Sequence, residues 1–160
     1  MSKPDYPITS AIRFLRAHQI VFEPKLYHYV EHGGTAQSAQ CLGVAEYQVI
    51  KTIVLQNEQK QGLIVLMHGD KQISTRNLAR ELGMKHIEPA DPKQANKWTG
   101  FLVGGTSPFG TKNALPVYVE HSIWELETIY INGGKRGFLV MVSPEALKSL
   151  NPQTVHVATE

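Results

Sequence analysis

The segment that most constrains how this chain folds is residues 100–110, which carry four glycines, one proline and two hydroxyl side chains within eleven positions. Glycine accepts positive φ angles and allows a ligand to approach the backbone closely. Successive N–H groups in such a loop can point into one concavity and bind an anion or a developing oxyanion. The alternative is a tight turn that only reverses the chain, and the loop alone does not decide between these two interpretations.

The length and composition indicate one globular domain. The chain has 160 residues, of which 42% are hydrophobic and 19% charged, so it can bury a core and does not resemble a disordered chain. Its formal net charge of +2 is too small to argue for nucleic-acid binding, although it is compatible with a local basic patch. We expect residues 10–160 to form the domain and residues 1–9 to be an N-terminal extension.

The single cysteine and the absence of long apolar runs favour a cytoplasmic protein. Cys41 cannot form an internal disulfide, which favours a reducing compartment. It lies in a short amphipathic segment, where we expect a small core residue rather than a nucleophile. Residues 1–7 lack the apolar core of a signal peptide, and the longest apolar run, residues 63–67, is too short to span a bilayer. No contact with a membrane is expected.

The hydrophobic pattern predicts short helices that alternate with short strands. The expected helical segments are residues 10–20, 35–42, 46–48, 75–82, 91–98 and 122–126, with a last helix that begins at Pro144. The expected strands are residues 21–30, 49–55, 63–68, 86–88, 116–119, 128–131, 138–142 and 155–157. Residues 132–137 are predicted to form a turn. The alternation predicts a mixed α/β domain with a curled, barrel-like, mostly antiparallel or mixed sheet surrounded by short helices.

Lys51 interrupts an otherwise apolar strand. A charge there is costly unless it is paired or opens into a cleft. A lysine in a cleft could hold a phosphate or carboxylate, or stabilise negative charge in a transition state. Two structural alternatives remain open. The lysine could protect an edge strand from aggregation, or it could extend its ammonium group to solvent along an apolar surface.

A second basic motif occupies residues 133–137, which read Gly-Gly-Lys-Arg-Gly. Two adjacent cations, Lys135 and Arg136, framed by glycines suit contact with a phosphate because the backbone can approach the ligand closely. The alternative is a solvated hairpin turn. The motif in isolation favours this alternative.

The sequence does not predict a metal site or a nucleophilic side chain. His28 and His32 are four residues apart, but this spacing places two ligands on one face only in a helix, and a strand is expected here. The other histidines form no cluster in the sequence, and no metal or other cofactor is expected. Ser107 lacks the Gly-x-Ser-x-Gly context of a nucleophile elbow.

Four motifs, taken in their order and spacing, resemble the YbaK/ProX/EbsC family of aminoacyl-tRNA editing domains over residues 10–160. The motifs are Val-Ile-Lys-Thr-Ile-Val at 49–54, Ala-Asp-Pro at 90–92, the glycine loop with the residue before it at 99–110, and Ile-Tyr-Ile-Asn-Gly-Gly-Lys-Arg-Gly at 129–137. The resemblance points to bacterial free-standing deacylases of Cys-tRNA(Pro), which are related to the insertion domain of prolyl-tRNA synthetase. It implies the editing-domain fold, with a barrel-like sheet, and hydrolytic removal of a wrongly attached amino acid from tRNA.

The resemblance also implies which residues form the site. Lys51 matches the essential lysine of the family, and residues 104–108 match its loop for the substrate ester. The catalytic set implied in this way is Lys51, Gly104, Gly105, Thr106 and Ser107. The implied substrate-binding set is Tyr29, Phe101, Pro108, Gly133, Gly134, Lys135, Arg136 and Leu139. Cysteine-specific members carry an acidic residue two positions after the Gly-Gly-Lys-Arg-Gly motif, where this chain has Leu139.

The chemistry expected from these residues agrees with such a role. N–H groups within residues 104–107 can stabilise an oxyanion, and Lys51 can hold the phosphate or ribose of the terminal adenosine. No side chain offers an obvious nucleophile or general base, and the family is thought to use the adenosine 2′-hydroxyl or a cysteine thiol, the latter by a cyclising route. The expected partner is mischarged tRNA(Pro), with prolyl-tRNA synthetase as a second protein that helps to hold it. The alternative function is a non-catalytic module of the same fold that binds tRNA or a nucleotide.

Overall fold

The computed structural model describes residues 5–159 and confirms the mixed α/β single domain predicted from the sequence. The α-helices are α1 (Ser10–Ala17), α2 (Gly34–Leu42), α3 (Thr75–Leu82) and α4 (Pro92–Thr99), and shorter 3-10 helices occupy Glu46–Gln48, His121–Glu125 and Pro144–Leu150. The strands are β1 (Glu23–Leu26), β2 (Val49–Asn57), β3 (Gly62–His68), β4 (Gln72–Ile73), β5 (Ile87–Pro89), β6 (Val117–Glu120), β7 (Ile129–Lys135), β8 (Phe138–Val142), β9 (Gln153–Val155) and β10 (Ala158–Thr159). Residues 1–4 and 160 lie outside the described residues, and the division into residues 1–9 and 10–160 stays a prediction.

Most strands form one mixed sheet. Its order is β1-β8-β7-β2-β3-β6-β9, with β5 paired to β2 beside this path, while β4 and β10 form a separate pair. The contacts of β2 with β7, of β3 with β6 and of β6 with β9 are parallel, and the other pairs are antiparallel. β2 therefore lies near the centre of the sheet, with β3 on one side and two different strands on the other.

The core divides between the two faces of this sheet. Alternate residues of β3 point to opposite faces, so that Ile64 and Leu66 join one buried cluster while Leu63 and Val65 join another. The first cluster packs against α1, and the second packs against α3. These two helices thus cover opposite faces of the sheet.

Local signals explain where the helices begin. The hydroxyl of Thr9 accepts a hydrogen bond from Ile12 N before α1, and that of Ser74 accepts one from Asn77 N before α3. The carboxylate of Asp91 accepts a hydrogen bond from Lys93 N, and Pro92 occupies the first helical position of α4. These starts agree with the sequence-based predictions.

Some predicted elements differ from the fold. The strand predicted over 21–30 is confined to β1, and the strand predicted over 155–157 lies two residues earlier, in β9. The last helix is a 3-10 helix rather than an α-helix. Residues 132–137 do not form one turn, because β7 continues to Lys135 with an irregular register against β8.

The prediction that Cys41 is a core residue is wrong, because its side chain is exposed. The buried residues of α2 are Ser38 and Ala39. Helical periodicity places Cys41 off this face, two positions beyond Ala39. Its sulfur instead accepts a hydrogen bond from the side chain of Gln37 at 3.3 Å.

Within residues 5–159, every helix is too short or too polar to cross a lipid bilayer.

Candidate functional site

A cleft opens where β2 lacks a neighbouring strand. β7 pairs with β2 only at Val49 and Ile50, and β5 pairs with it only from Leu55 onwards. Residues 51–54 therefore have no strand partner on that side, although Val54 O accepts a hydrogen bond from Ala90 N at 3.1 Å. A cavity of about 470 Å³ occupies this gap and is lined by residues 49–54, among others. The size is that of a site for a small molecule or the end of a larger one.

Lys51 lines this cleft from the face of β2 that carries Leu55. Its ammonium group donates a hydrogen bond to Lys71 O at 2.6 Å, which leaves its other protons for a ligand. Burial lowers the pKa of Lys51, while the nearby carboxylates of Glu46 and Asp70 act in the opposite direction. β2 lies between β7 and β3 in the sheet, but at Lys51 its side towards β7 is unpaired, so the alternative that Lys51 protects a strand edge stays open.

Two hydroxyl groups near Lys51 differ in their partners. The hydroxyl of Thr35 donates to a carboxylate oxygen of Glu46 at 2.7 Å, and this contact fixes the start of α2 beside the cleft. The hydroxyl of Thr52 is buried and has no hydrogen-bond partner within residues 5–159. An unpaired buried hydroxyl is costly, and Thr52 also lines the cleft, so a bound ligand can supply the missing partner.

The glycine loop forms another wall of the cleft through Val103, Gly104 and Thr106. Gly104 is exposed and has a φ angle of +89°, a conformation that favours glycine. A Cβ at this position would lie 2.8 Å from the Tyr29 hydroxyl oxygen. Gly104 therefore carries no side chain of its own at the cleft, and the Tyr29 hydroxyl packs against the position where a Cβ would stand.

The other residues of the loop hold its shape. Gly105 is buried, and its N–H donates to Leu102 O at 2.8 Å, so this group is already used within the loop. Ser107 is fully buried, and its hydroxyl accepts a hydrogen bond from Phe109 N. The N–H groups of Val103, Gly104 and Thr106, the loop residues that line the cleft, have no acceptor among residues 5–159 and are available backbone donors.

The segment 132–137 supports the glycine loop from behind. The Asn132 amide donates to Gly104 O at 3.1 Å, and its carbonyl oxygen accepts from Gly134 N at 2.7 Å. Arg136 Nε donates to Val103 O at 2.8 Å, and its guanidinium lies 5.4 Å from the centre of the Tyr29 ring. Asn132 and Arg136 thus fix two consecutive carbonyl groups of the loop.

The structure brings some of the predicted residues together and separates others. Lys51, Gly104, Thr106, Tyr29 and Leu139 line the cleft. The remaining predicted residues lie outside its lining: Gly105, Ser107, Phe101, Pro108, Gly133, Gly134, Lys135 and Arg136. Most of these pack within the domain, whereas Lys135 and Arg136 are exposed. They surround and support the loop rather than face the cavity.

Most residues that line the cleft were not among the predicted site residues, and Tyr27, His32, Thr52 and Asn132 are examples with polar side chains. Thr52 and Asn132 lie within the motifs at 49–54 and 129–137, and this membership is the signal that could have indicated them. His32 stands at the mouth with its side chain 91% exposed, and the sequence favoured no function for it.

One end of the cleft is apolar and uncharged. Leu139 is 4% exposed and packs with Val49, with Tyr27 beside them. Among the described residues that line the cleft there is no aspartate, glutamate or cysteine, and Lys51 is its one lysine or arginine. Such a cleft favours anionic groups near Lys51 and small apolar groups near Leu139.

A metal centre has no support in the described part of the chain. Residues 5–159 contain no group of three or more His, Cys, Asp or Glu side chains placed to hold an ion. His28 and His32 lie in a segment without helical structure.

Comparison with known proteins identifies a family for most of the chain. Residues 31–150 match the family described as "Aminoacyl-tRNA editing domain". The Enterococcus faecalis protein EbsC, whose name assigns it provisionally as a Cys-tRNA(Pro)/Cys-tRNA(Cys) deacylase, is 28% identical over 154 residues that cover 95% of this chain and 94% of that protein. The proline–tRNA ligase of Brachyspira hyodysenteriae is 31% identical over 86 residues, which cover 54% of this chain and 15% of the ligase.

Solved structures share the fold over almost the whole chain. The hypothetical protein APE2540 has a TM-score of 0.86 with 20% identity, covering 94% of this chain and 100% of that chain. A structure described provisionally as a trans-editing enzyme for prolyl tRNA synthetase has a TM-score of 0.82 with 22% identity, covering 97% of this chain and 100% of that chain. At these identities, the two similarities show a shared fold.

Proposed function

The chain belongs to the family of aminoacyl-tRNA editing domains, since residues 31–150 match that family, and from this premise we propose that it is a trans-editing deacylase. It hydrolyses the ester of an amino acid wrongly attached to tRNA(Pro). The observation that carries the proposal is one cleft, without a carboxylate among its described lining residues, that is lined both by Lys51 and by the backbone of Gly104. The resemblance predicted from the sequence is confirmed at the level of the family.

Lys51 holds the end of the tRNA in this proposal. Its ammonium group keeps one hydrogen bond to Lys71 O and directs another to a phosphate or ribose oxygen of the terminal adenosine. Its half-buried position strengthens this interaction because the local dielectric is lower than in water. The contact fixes the ester against the loop, and such positioning can lower a reaction barrier by several kcal/mol, up to about 7–11 kcal/mol.

The loop stabilises the transition state. The N–H groups of Gly104 and Thr106 are free of protein acceptors within residues 5–159, and they are the proposed donors to the oxyanion that forms at the ester carbonyl. The earlier candidates Gly105 and Ser107 support the loop instead, through Leu102 O and Phe109 N. Removal of one oxyanion donor typically costs about 100- to 1,000-fold in rate.

The substrate supplies the group that activates the nucleophile. The described lining of the cleft holds no carboxylate or thiol, and His32 is largely exposed at its mouth. We propose that the 2′-hydroxyl of the terminal adenosine accepts and relays the proton as water attacks the ester. A cysteinyl substrate offers a second route, in which its own thiol attacks the carbonyl and releases a cyclic product and free tRNA.

The apolar end of the cleft selects the amino acid. Leu139, Val49 and Tyr27 leave no charged partner for a side chain, so the proposed substrate carries a small uncharged amino acid. Cysteine is the first candidate because of the likeness to EbsC, whose name assigns it to Cys-tRNA(Pro). Alanine is the second, because an apolar leucine replaces the acidic residue of cysteine-specific members.

The proposed partner and location follow from the same relatives. The likeness to part of a proline–tRNA ligase supports tRNA(Pro) as the substrate carrier and prolyl-tRNA synthetase as a protein that helps to present it. Mischarged tRNA arises where synthetases act, and we therefore place the activity in the cytoplasm.

The proposal is tested with a panel of tRNA(Pro) charged with cysteine, alanine, serine, threonine or proline. The wild type should release one or two small amino acids, cysteine first, and spare proline. Lys51→Met should lose about 100-fold in hydrolysis rate while it retains the wild-type unfolding temperature. If no ester is hydrolysed but tRNA(Pro) is bound, the domain is a non-catalytic tRNA-binding module and the proposal is wrong.

A further inference from the structure

A second groove, lined by basic side chains, lies between α3 and β5. Its volume is about 360 Å³, and it is lined by Arg76 and Arg80 from α3 and by Lys85 and His86 from the segment before β5. All four side chains are exposed. With a formal net charge of only +2 for the chain, this local concentration of cations stands out.

The cations of this groove are not neutralised by the protein. Within residues 5–159, no carboxylate oxygen lies within 4.0 Å of the charged groups of Arg76, Arg80 or Lys85. Glu58 is nearby, but its carboxylate accepts hydrogen bonds from the backbone N–H groups of Lys85 and His86. The groove therefore offers a ligand two arginine charges with no carboxylate partner among the described residues and a lysine charge that Glu58 compensates only in part.

Glu81 and Glu88 are the acidic side chains next in sequence to the groove's lining, and both already have partners. Glu81 accepts a hydrogen bond from His156 N at 3.2 Å. Glu88 accepts hydrogen bonds from Gln56 at 3.0 Å and from Lys60 at 3.1 Å. These contacts, with that of His86, lower the pKa of Glu88 to about 2. Its charge is thus compensated by partners other than the groove's arginines.

The groove lies close to the cleft along the chain. Ile87 lines the groove and Ala90 lines the cleft, and they are three residues apart along an extended segment, about 10 Å. Lys71, whose carbonyl oxygen accepts a hydrogen bond from Lys51, precedes Arg76 by five residues along the chain.

We propose that this groove binds the phosphate groups of the RNA strand whose 3′ end enters the cleft. The inference rests on the proposed function for the identity of the RNA. Exposed arginines and lysines without carboxylate partners are the usual contacts of nucleic-acid phosphates, and they position the strand without reading its sequence. Arg76 and Arg80, four residues apart on one helix face, are placed to contact neighbouring phosphates.

The test uses an uncharged RNA minihelix with a single-stranded CCA end and measures its binding across a range of salt concentrations. Arg76→Gln/Arg80→Gln should weaken binding at least tenfold at low salt. It should also reduce the slope of log K against log salt by about 0.7 for each phosphate contact that is lost. Arg13→Gln/Arg16→Gln is the matched control, since it removes two exposed arginines from α1 on the opposite face of the sheet. The control should bind within twofold of the wild type.

Three results would overturn the inference. The groove variant could bind like the wild type, the control could weaken equally, or the wild type could fail to bind the minihelix. An aminoacyl-adenosine ester lacks the preceding phosphates, so its hydrolysis does not depend on the groove. Measuring this hydrolysis distinguishes a failure of this inference from a failure of the proposed function. Both variants should hydrolyse this ester at the wild-type rate. If the wild type hydrolyses no ester, the proposed function fails, while the binding measurement still decides the role of the groove.

Discussion

The two glycine-rich segments, residues 100–110 and 132–137, meet at one wall of the cleft but do different things there. The first presents the backbone of Gly104 to the cavity. The second holds the first in place through hydrogen bonds from Asn132 and Arg136 to Gly104 O and Val103 O. Both segments carry similar sequence signals of ligand contact, so glycine content alone does not distinguish a segment that contacts a ligand from one that supports it.

The largest expected effect is a difference in kcat/KM between variants at one glycine of each segment. Gly104→Ala places a Cβ 2.8 Å from the Tyr29 hydroxyl at a φ of +89°, which shifts the presented backbone. We expect kcat/KM for the mischarged tRNA to fall about 100-fold, with a loss of stability of about 1–2 kcal/mol. Gly133→Ala instead places a Cβ 2.6 Å from the Phe138 ring, and overpacking should cost about 1–3 kcal/mol of stability with a smaller loss of kcat/KM.

Kinetics on folded protein and thermal unfolding of both variants check this contrast. The comparison breaks down if Gly133→Ala loses more kcat/KM than Gly104→Ala, because the second segment would then contribute directly to the reaction.

The next effect concerns Asn132 as a positioning residue. Asn132→Ala removes both its donor to Gly104 O and its acceptor for Gly134 N, and we expect a loss of about 1–3 kcal/mol of stability together with about tenfold lower kcat. Asn132→Asp keeps the acceptor and removes the donor. It should regain most of the stability but not the activity, as measured by single-turnover kinetics and chemical denaturation. A fully active Asp variant would show that the contact with Gly104 O has no role in the reaction.

The smallest expected effect is a difference in rate between variants at the two adjacent cations of the second segment, Lys135 and Arg136. Arg136→Gln removes the hydrogen bond to Val103 O and the contact with the Tyr29 ring, which is worth about 0.5–1 kcal/mol at an exposed site. The rate on an aminoacyl-adenosine ester should fall about two- to fivefold. Lys135→Gln, whose side chain is exposed, should leave this rate unchanged. Equal losses in both variants would favour a direct electrostatic role for the pair.

Local features of the fold were predictable from the sequence because local chemistry determines them. The caps at Thr9, Ser74 and Asp91 set the starts of three helices, and the apolar run of β2 and β3 indicated a central hairpin. Cys41 was misplaced because a short helix with one weakly apolar face leaves its buried side ambiguous. Residues 132–135 were taken for a turn because glycines favour turns, yet the neighbouring strand β8 keeps them in the sheet.

The site was predictable in its motifs but not in its geometry. Lys51 and Gly104 stood out because a charge in an apolar strand and a glycine pair are visible in the sequence. The gap beside β2 was not visible in the sequence, because it depends on where β7 stops pairing with β2 and where β5 begins to pair with it. The separate roles of Gly104 and Gly105 depend on which N–H group the loop uses internally, and this too requires the folded chain.

The central claim is that Lys51 and the Gly104 backbone act on the same ester in one cleft. A double-mutant cycle tests it most directly, with single-turnover hydrolysis of the mischarged tRNA by the wild type, Lys51→Met, Gly104→Ala and the double variant. Groups that act together on one transition state give strongly non-additive losses. We predict that each single variant loses about 100-fold in rate and that the double variant is no more than about threefold slower than the slower single. A wild-type rate in Lys51→Met, or losses that multiply in the double variant, would contradict the account.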